Sequence, residues 1–205
     1  MPRRALAPAL ALALAGCTTA DNTTAPPGDL RNFDPVAAFP AIAAYAGPDA
    51  RLISLAAWYV RTDGTMDLEA DYTPRVEAEF VTRATEADVQ AQGPRAPGSG
   101  FAVGALLQTR VEVHAPRWYH VTSGGSEWDE KHLGMGRNPG GPASASPAFA
   151  AAPICPFGQL WDEARQRGAP ADVVAIIRYD ANGYEFEANG RDFRLRFSAD
   201  CAPRD

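Results

Sequence analysis

The sequence predicts an α+β fold of two α-β-β-β pseudo-repeats with antiparallel meander sheets, joined by an extra hairpin and a long loop. Three observations predict it. A stretch of helical period followed by stretches of alternating apolar and polar residues occurs twice, once toward either end of the chain. Within these stretches, GPDARLISLAAWYVRTDGTMDL and GAPADVVAIIRYDANGYEF share one order: Gly and Pro, an apolar run ending in an aromatic, an Asp-and-Gly turn, then an alternating strand. Between them the period is lost and Gly, Pro, Ala and Ser dominate. The repeats span about residues 33–83 and 155–201, inside one domain of residues 31–205.

In the first repeat, Asp34-Pro35 opens a helix running toward Gly47-Pro48, which Pro40 is expected to kink or split. Arg51 to Val60 is a mostly apolar strand, and Thr62-Asp63-Gly64-Thr65 a turn. Met66, Leu68, Ala70 and Tyr72 then alternate with Asp67, Glu69 and Asp71. After Thr73-Pro74, Val76, Ala78 and Phe80 alternate with Arg75, Glu77 and Glu79. The polar side of this meander sets five acids against Arg75 alone, so an acidic, hydrated face is expected.

Between the repeats, Phe101–Val113 and Arg117–Thr122 read as strands interrupted by Pro116. Residues 123–153 are expected to form an irregular loop, chemically varied in its first half (Trp128, His132, Met135, Arg137) and linker-like in its second. The three histidines, 114, 120 and 132, fall in this region. His114 and His120 can meet across a hairpin, with Glu112, Asp129 or Glu130 supplying a carboxylate. H-E-x-x-H and H-x-H are both missing, however, and a spacing of six has no metal-binding geometry, so no metal and no cofactor are expected. Trp118, Tyr119 and His120 form an aromatic cluster, and partner contact is expected at Trp118, His120, Trp128 and His132.

The second repeat opens on Phe157, Leu160, Trp161 and Ala164 at helical spacing, with Gly168 and Pro170 as its stop. Asp172 to Tyr179 is a nearly continuous apolar run, followed by the turn Asp180-Ala-Asn-Gly. Tyr184, Phe186 and Ala188 alternate with Glu185 and Glu187, Asn189-Gly190 marks a hairpin, and Phe193, Leu195 and Phe197 alternate with Arg194 and Arg196. The two Glu and two Arg match across adjacent antiparallel strands.

Ahead of the first repeat, Arg3 and Arg4 precede an apolar stretch from Leu6 to Ala15, shorter than the roughly 20 residues a bilayer span requires. It reads as an export signal of residues 1–16. Leu14-Ala15-Gly16-Cys17 resembles the lipobox of bacterial lipoprotein precursors. That resemblance implies cleavage before Cys17, lipid on its thiol and acylation of the new amino terminus. Thr18, where inner-membrane lipoproteins often carry Asp, implies the outer membrane, facing periplasm or surface. Residues 17–30, poor in large apolar groups, then read as the lipidated cysteine and a flexible tether. With Cys17 set aside, Cys155 and Cys201 remain as an even pair in an oxidising compartment and are expected to form a disulfide.

Of 19 basic and 25 acidic residues, only Arg3 and Arg4 fall in the signal, so the remainder carries a net charge of −8. With one lysine, Lys131, and no basic cluster, this argues against nucleic acid, and against attachment to anionic lipid by charge. The membrane link implied is therefore the acyl anchor. No G-x-S-x-G elbow, S-x-x-K, Cys-His pair, P-loop or dinucleotide fingerprint occurs. The predicted fold is similar in outline to cystatin-like and PepSY-like modules, which implies binding or inhibition. The leading expectation is a lipid-anchored envelope protein of binding or structural role, with an envelope protein as partner. The alternative is an envelope hydrolase or metal-dependent enzyme using His120 or His132 with the carboxylates of Glu127, Asp129 and Glu130.

Overall fold

Two nearly continuous apolar runs, residues 52–60 and 173–179, interrupted by Ser54 and Arg178, belong in a sheet where both strand edges are paired. The structure, a computed structural model, describes residues 21–92, 100–123, 126–143 and 147–204; of 21–23 and 117–132 it describes the backbone. The chain runs β1 (Asp21–Thr24), α1 (Pro35–Ala46), β2 (Arg51–Val60), β3 (Arg75–Arg83), α2 (Glu86–Ala91), β4 (Leu106–Val113), β5 (Arg117–Ser123) and β6 (Ser126–His132). It continues through β7 (Met135–Pro142), α3 (Phe157–Gln166), β8 (Ala175–Asp180), β9 (Gly183–Ala188), β10 (Arg194–Phe197) and β11 (Pro203–Arg204). The class is α+β: a mostly antiparallel sheet with a few helices.

The expected two meander sheets are one. Nine strands join in the order β1-β7-β4-β3-β2-β8-β9-β10-β11, every neighbouring pair antiparallel, while β5 and β6 form a separate ribbon. The two apolar runs pair with each other at the centre, Leu55 opposite Tyr179 and Ala57 opposite Ile177.

Both long helices lie on one face of this sheet and share one core. Asp34 caps α1 by accepting the Val36 and Ala37 N–H groups, and the helix buries Ala38, Phe39, Ile42 and Ala46, with Phe39 stacked on Phe80 at 6.3 Å. Pro40 does not split it. Its ring is exposed, so its missing N–H leaves the Val36 carbonyl without a helical partner on the outer side while the buried stripe is kept. On α3, Phe157, Leu160, Trp161 and Ala164 are all buried, and Trp161 meets the Phe186 ring edge-on at 4.8 Å. Gly168 at φ +94° ends that helix, as its position in the sequence predicts.

Three further expectations are corrected, and one helix is new. Met66 to Tyr72 is not a strand: Met66 and Leu68 are buried, but beyond the isolated Phe33–Met66 bridge and the Leu68 N–H to Leu30 carbonyl bond the backbone bonds are local turns, such as Ala70 N–H to the Asp67 carbonyl. The Asp67 carboxylate accepts the Glu69 N–H and turns the backbone away from a ladder. Residues 123–153 are not one irregular loop, since β6 and β7 lie in it. MGRNPGGP has little strand propensity, yet Met135 is buried in the core and Gly140 passes so close to the Gln108 carbonyl that only glycine fits. Residues 21–30 do not hang free: β1 pairs with β7, Pro26 is buried, and Asp29 accepts the Arg31 N–H. The helix α2 is an addition, opened by the capping box of Thr85 with Asp88.

The expected disulfide joins Cys155, just before α3, to Cys201 after β10, with Cα atoms 5.6 Å apart.

Candidate functional site

With both long helices on one face, the other face of the sheet carries no long helix among the described residues and is largely bare, and its composition follows from strand alternation. On β3 and β4 it carries Arg75, Glu77, Glu79, Arg110 and Glu112; on β2, Ser54, Ala56 and Trp58; on β8 to β11, Ile176, Arg178, Glu185, Glu187, Arg194, Arg196 and Arg204. All are at least partly exposed. Val81, also on this face, is covered near Phe149, over which the Arg51 guanidinium sits at 3.4 Å.

The acidic meander face expected from the sequence is not there. Asp67, Glu69 and Asp71 lie off the sheet, and Glu69 pairs with Arg31 at 2.8 Å. Glu77 pairs with Arg75 at 2.8 Å, and Glu79 with Arg110 at 3.3 Å, a residue contributed by β4 rather than by the presumed third strand. In the other half, Arg194 stands opposite Glu187 and Arg196 opposite Glu185, the match the sequence predicts. The Arg178 hydrogen bond to Glu187, at 3.0 Å, holds that carboxyl below the usual carboxylate range, with Arg194 adding to the effect at 3.3 Å.

The centre of this face is apolar and backed by strained backbone. Tyr59 is the extra residue of a β-bulge: Trp58 pairs with Ile176 and Val60 with Ala175. Its φ of +72° costs a tyrosine on the order of 1–3 kcal/mol. The bulge keeps two successive aromatics, Trp58 and Tyr59, out of the core. The Arg75 guanidinium lies 4.3 Å over the Trp58 ring, and Tyr72, 46 % exposed, packs edge-on against Tyr59 at 4.9 Å. Thr73 beside it also has positive φ, +58°, unusual for a β-branched residue. Two strained residues thus hold one aromatic patch in place.

Next to the patch, a groove of about 530 Å³ crosses from β2 to β11, lined among others by Ser54, Arg178, Asp180, Glu185, Arg196 and Arg204.

Trp118 and His120 lie on β5, Trp128 and His132 on β6, and their side chains fall outside the described residues. The register sets His120 opposite Asp129, Trp118 opposite Lys131, Trp128 opposite Val121 and His132 opposite Arg117. The pairs containing Trp118 and His120 therefore lie between those containing His132 and Trp128 along the ribbon. His114 is buried at the end of β4, where its Nδ1–H donates to the Ala115 carbonyl at 2.7 Å. Among the described residues no group of three or more His, Cys, Asp or Glu side chains is placed to hold a metal ion. Met135 and Arg137 are structural: Met135 is buried, and Arg137 donates to Asp88 through both terminal guanidinium nitrogens, at 2.5 and 3.2 Å. Sequence reasoning missed the bare face, although two adjacent aromatics in a strand of otherwise mixed spacing, Trp58-Tyr59, signal a bulge.

Fold and site together define a helix-backed antiparallel sheet, one face of which carries no long helix among the described residues. No family model, curated protein or solved structure matches the chain.

Proposed function

We propose that this is a lipid-anchored protein of the bacterial cell envelope, at the outer membrane, whose folded part binds an envelope protein through the bare face of its sheet. One observation carries the binding role: a half-exposed apolar strip of Ala56, Trp58 and Ile176 crosses the two central strands, bordered by Arg and Glu on both sides. Binding surfaces combine such an aromatic centre with a polar rim. The ribbon of β5 and β6, carrying Trp118, His120, Trp128 and His132, rises from the same half of the sheet and adds a second contact.

The two halves, α1-β2-β3-β4 and α3-β8-β9-β10, are copies of one unit related about the β2–β8 pair. Their strand order mirrors outward from that pair, and the third strand of the first copy is β4.

Anchoring is supported by Leu14-Ala15-Gly16-Cys17. After cleavage, Thr18 to Ala20 separate the acylated Cys17 from β1, a reach of at most about 14 Å even when extended. The β1 edge of the sheet is then held near the bilayer. The opposite edge, eight strand spacings away or about 38 Å, points into the aqueous space.

Cys17→Ser in the full chain is expected to abolish incorporation of labelled fatty acid and to leave residues 1–16 attached, read by mass spectrometry of the membrane fraction. A variant still cleaved and still membrane-bound contradicts the anchor.

A further inference from the structure

We propose that Arg196 and Arg204 form an acidic-peptide site: they take the carboxylates of an extended Glu- or Asp-rich segment of the partner. This rests on the reading of the bare face as the binding surface and assigns chemistry to its outer end. Arg178 and Arg194 are both matched by Glu187, and Arg167 by Glu163 at 2.7 Å. Among the described residues the Arg196 side chain makes no hydrogen bond or ion pair, and the Arg204 side chain donates to the Asn182 main-chain carbonyl at 2.8 Å and helps to hold the Asp200 carboxyl below its usual range. The two residues stand directly opposite one another on β10 and β11, a pairing in which like charges repel. Glu185 stands across from Arg196 and Asp200 lies near Arg204, but neither carboxylate closes an ion pair with these guanidinium groups, which keep hydrogen-bonding capacity for an incoming acid.

The space in front of them fits a peptide better than a small anion. The groove of about 530 Å³ runs into a second of about 430 Å³ that shares Glu185, Arg196 and Arg204. From β2 to β11 the pair crosses four strand spacings, about 19 Å. An extended segment of roughly six residues covers that distance. Arginine matches carboxylate geometry with two parallel hydrogen bonds, so the pair holds two acidic side chains spaced along one strand. Ser54 and Asp180, farther along the groove, offer a hydroxyl and an acceptor to the peptide's own polar groups. Glu185 between Arg178 and Arg196 weakens attraction for a lone anion and sets the register of a multivalent one.

The test is titration calorimetry at pH 7 with the intact, disulfide-bonded protein and a short peptide alternating glutamate with threonine. The glutamine counterpart is expected to bind about tenfold or more weakly, as is the glutamate peptide to the Arg196→Gln/Arg204→Gln variant. Both arginines are exposed, so an unchanged melting curve shows that the variant is folded. Equal binding of the glutamine peptide, unchanged binding by the variant, or inorganic phosphate binding as tightly as the peptide overturns the assignment. Cross-linking from Ile176 in the envelope reports on the face separately. A protein that cross-links there but ignores the glutamate peptide loses this assignment alone, while one that never cross-links there loses the underlying reading.

Discussion

Arg137→Met is expected to destabilise the protein by about 3–5 kcal/mol, the cost of leaving a buried carboxylate without its partner. Asp88 is only 4 % exposed, and its carboxylate is shared between Arg137, the Thr85 hydroxyl and the Thr85 N–H. Arg137 also donates Nε–H to the Ala46 carbonyl at 2.9 Å, where the negative end of the α1 dipole favours a cation. One side chain thus joins β7, α2 and the end of α1. Without it the Gly- and Pro-rich β7 has little to hold it except backbone pairing and Met135.

The pH dependence has a definite sign. Burial alone raises the Asp88 pKa, but the hydrogen bonds from Arg137 and Thr85 outweigh it and hold the carboxyl below its usual value. A depressed carboxyl contributes stability that is fully present above the ordinary carboxylate range, near pH 4, and is lost as pH falls through the lower folded value. The gap between the parent protein and Arg137→Met is therefore widest at neutral pH and closes on acidification. Urea unfolding at several pH values measures it; a gap below about 1 kcal/mol at pH 7 would show that the pair is dispensable.

Cys155→Ala/Cys201→Ala is expected to cost a similar amount, about 4 kcal/mol in the chain-entropy model for a separation of 46 residues. The bridge closes a loop holding α3, β8, β9 and β10, so without it the unfolded chain regains that freedom. Cys155 is fully buried beside the Tyr184 hydroxyl, which accepts the Ile154 and Cys155 N–H groups at 3.0 and 3.2 Å. Losing the bridge therefore also loosens the lead-in to α3. For a domain of this size the melting temperature should fall by roughly 10 °C. Reduction of the parent protein should reproduce the drop, and a change of only a degree or two would contradict it.

The elements legible in the sequence were those whose apolar spacing matches their burial. Phe157, Leu160, Trp161 and Ala164 mark α3, and Tyr184, Phe186 and Ala188 mark β9, because each buries the stripe its period draws. Met66 and Leu68 misled for the opposite reason: both are buried, but against helices and loops, with Asp67 turning the backbone out of any ladder. β7 was illegible because its pairing is set by Met135, Arg137 and the β4 backbone rather than by propensity. The joining of two meanders into one sheet was partly visible. β2 and β8 are mostly apolar, broken within the run only by Ser54 and Arg178, as strands paired on both edges often are. The bare face was hidden because half-exposed residues such as Trp58 and Ile176 read as core until the helices are seen on one side only.

The central claim is that the face opposite the helices is the one that binds. Site-specific photocross-linking in the processed, membrane-attached protein tests it, with the reactive group placed at Ile176 on the bare face or at Ala41 on the exposed side of α1. One discrete protein adduct is expected from Ile176 and none from Ala41. An adduct from Ala41 with none from Ile176 would contradict it.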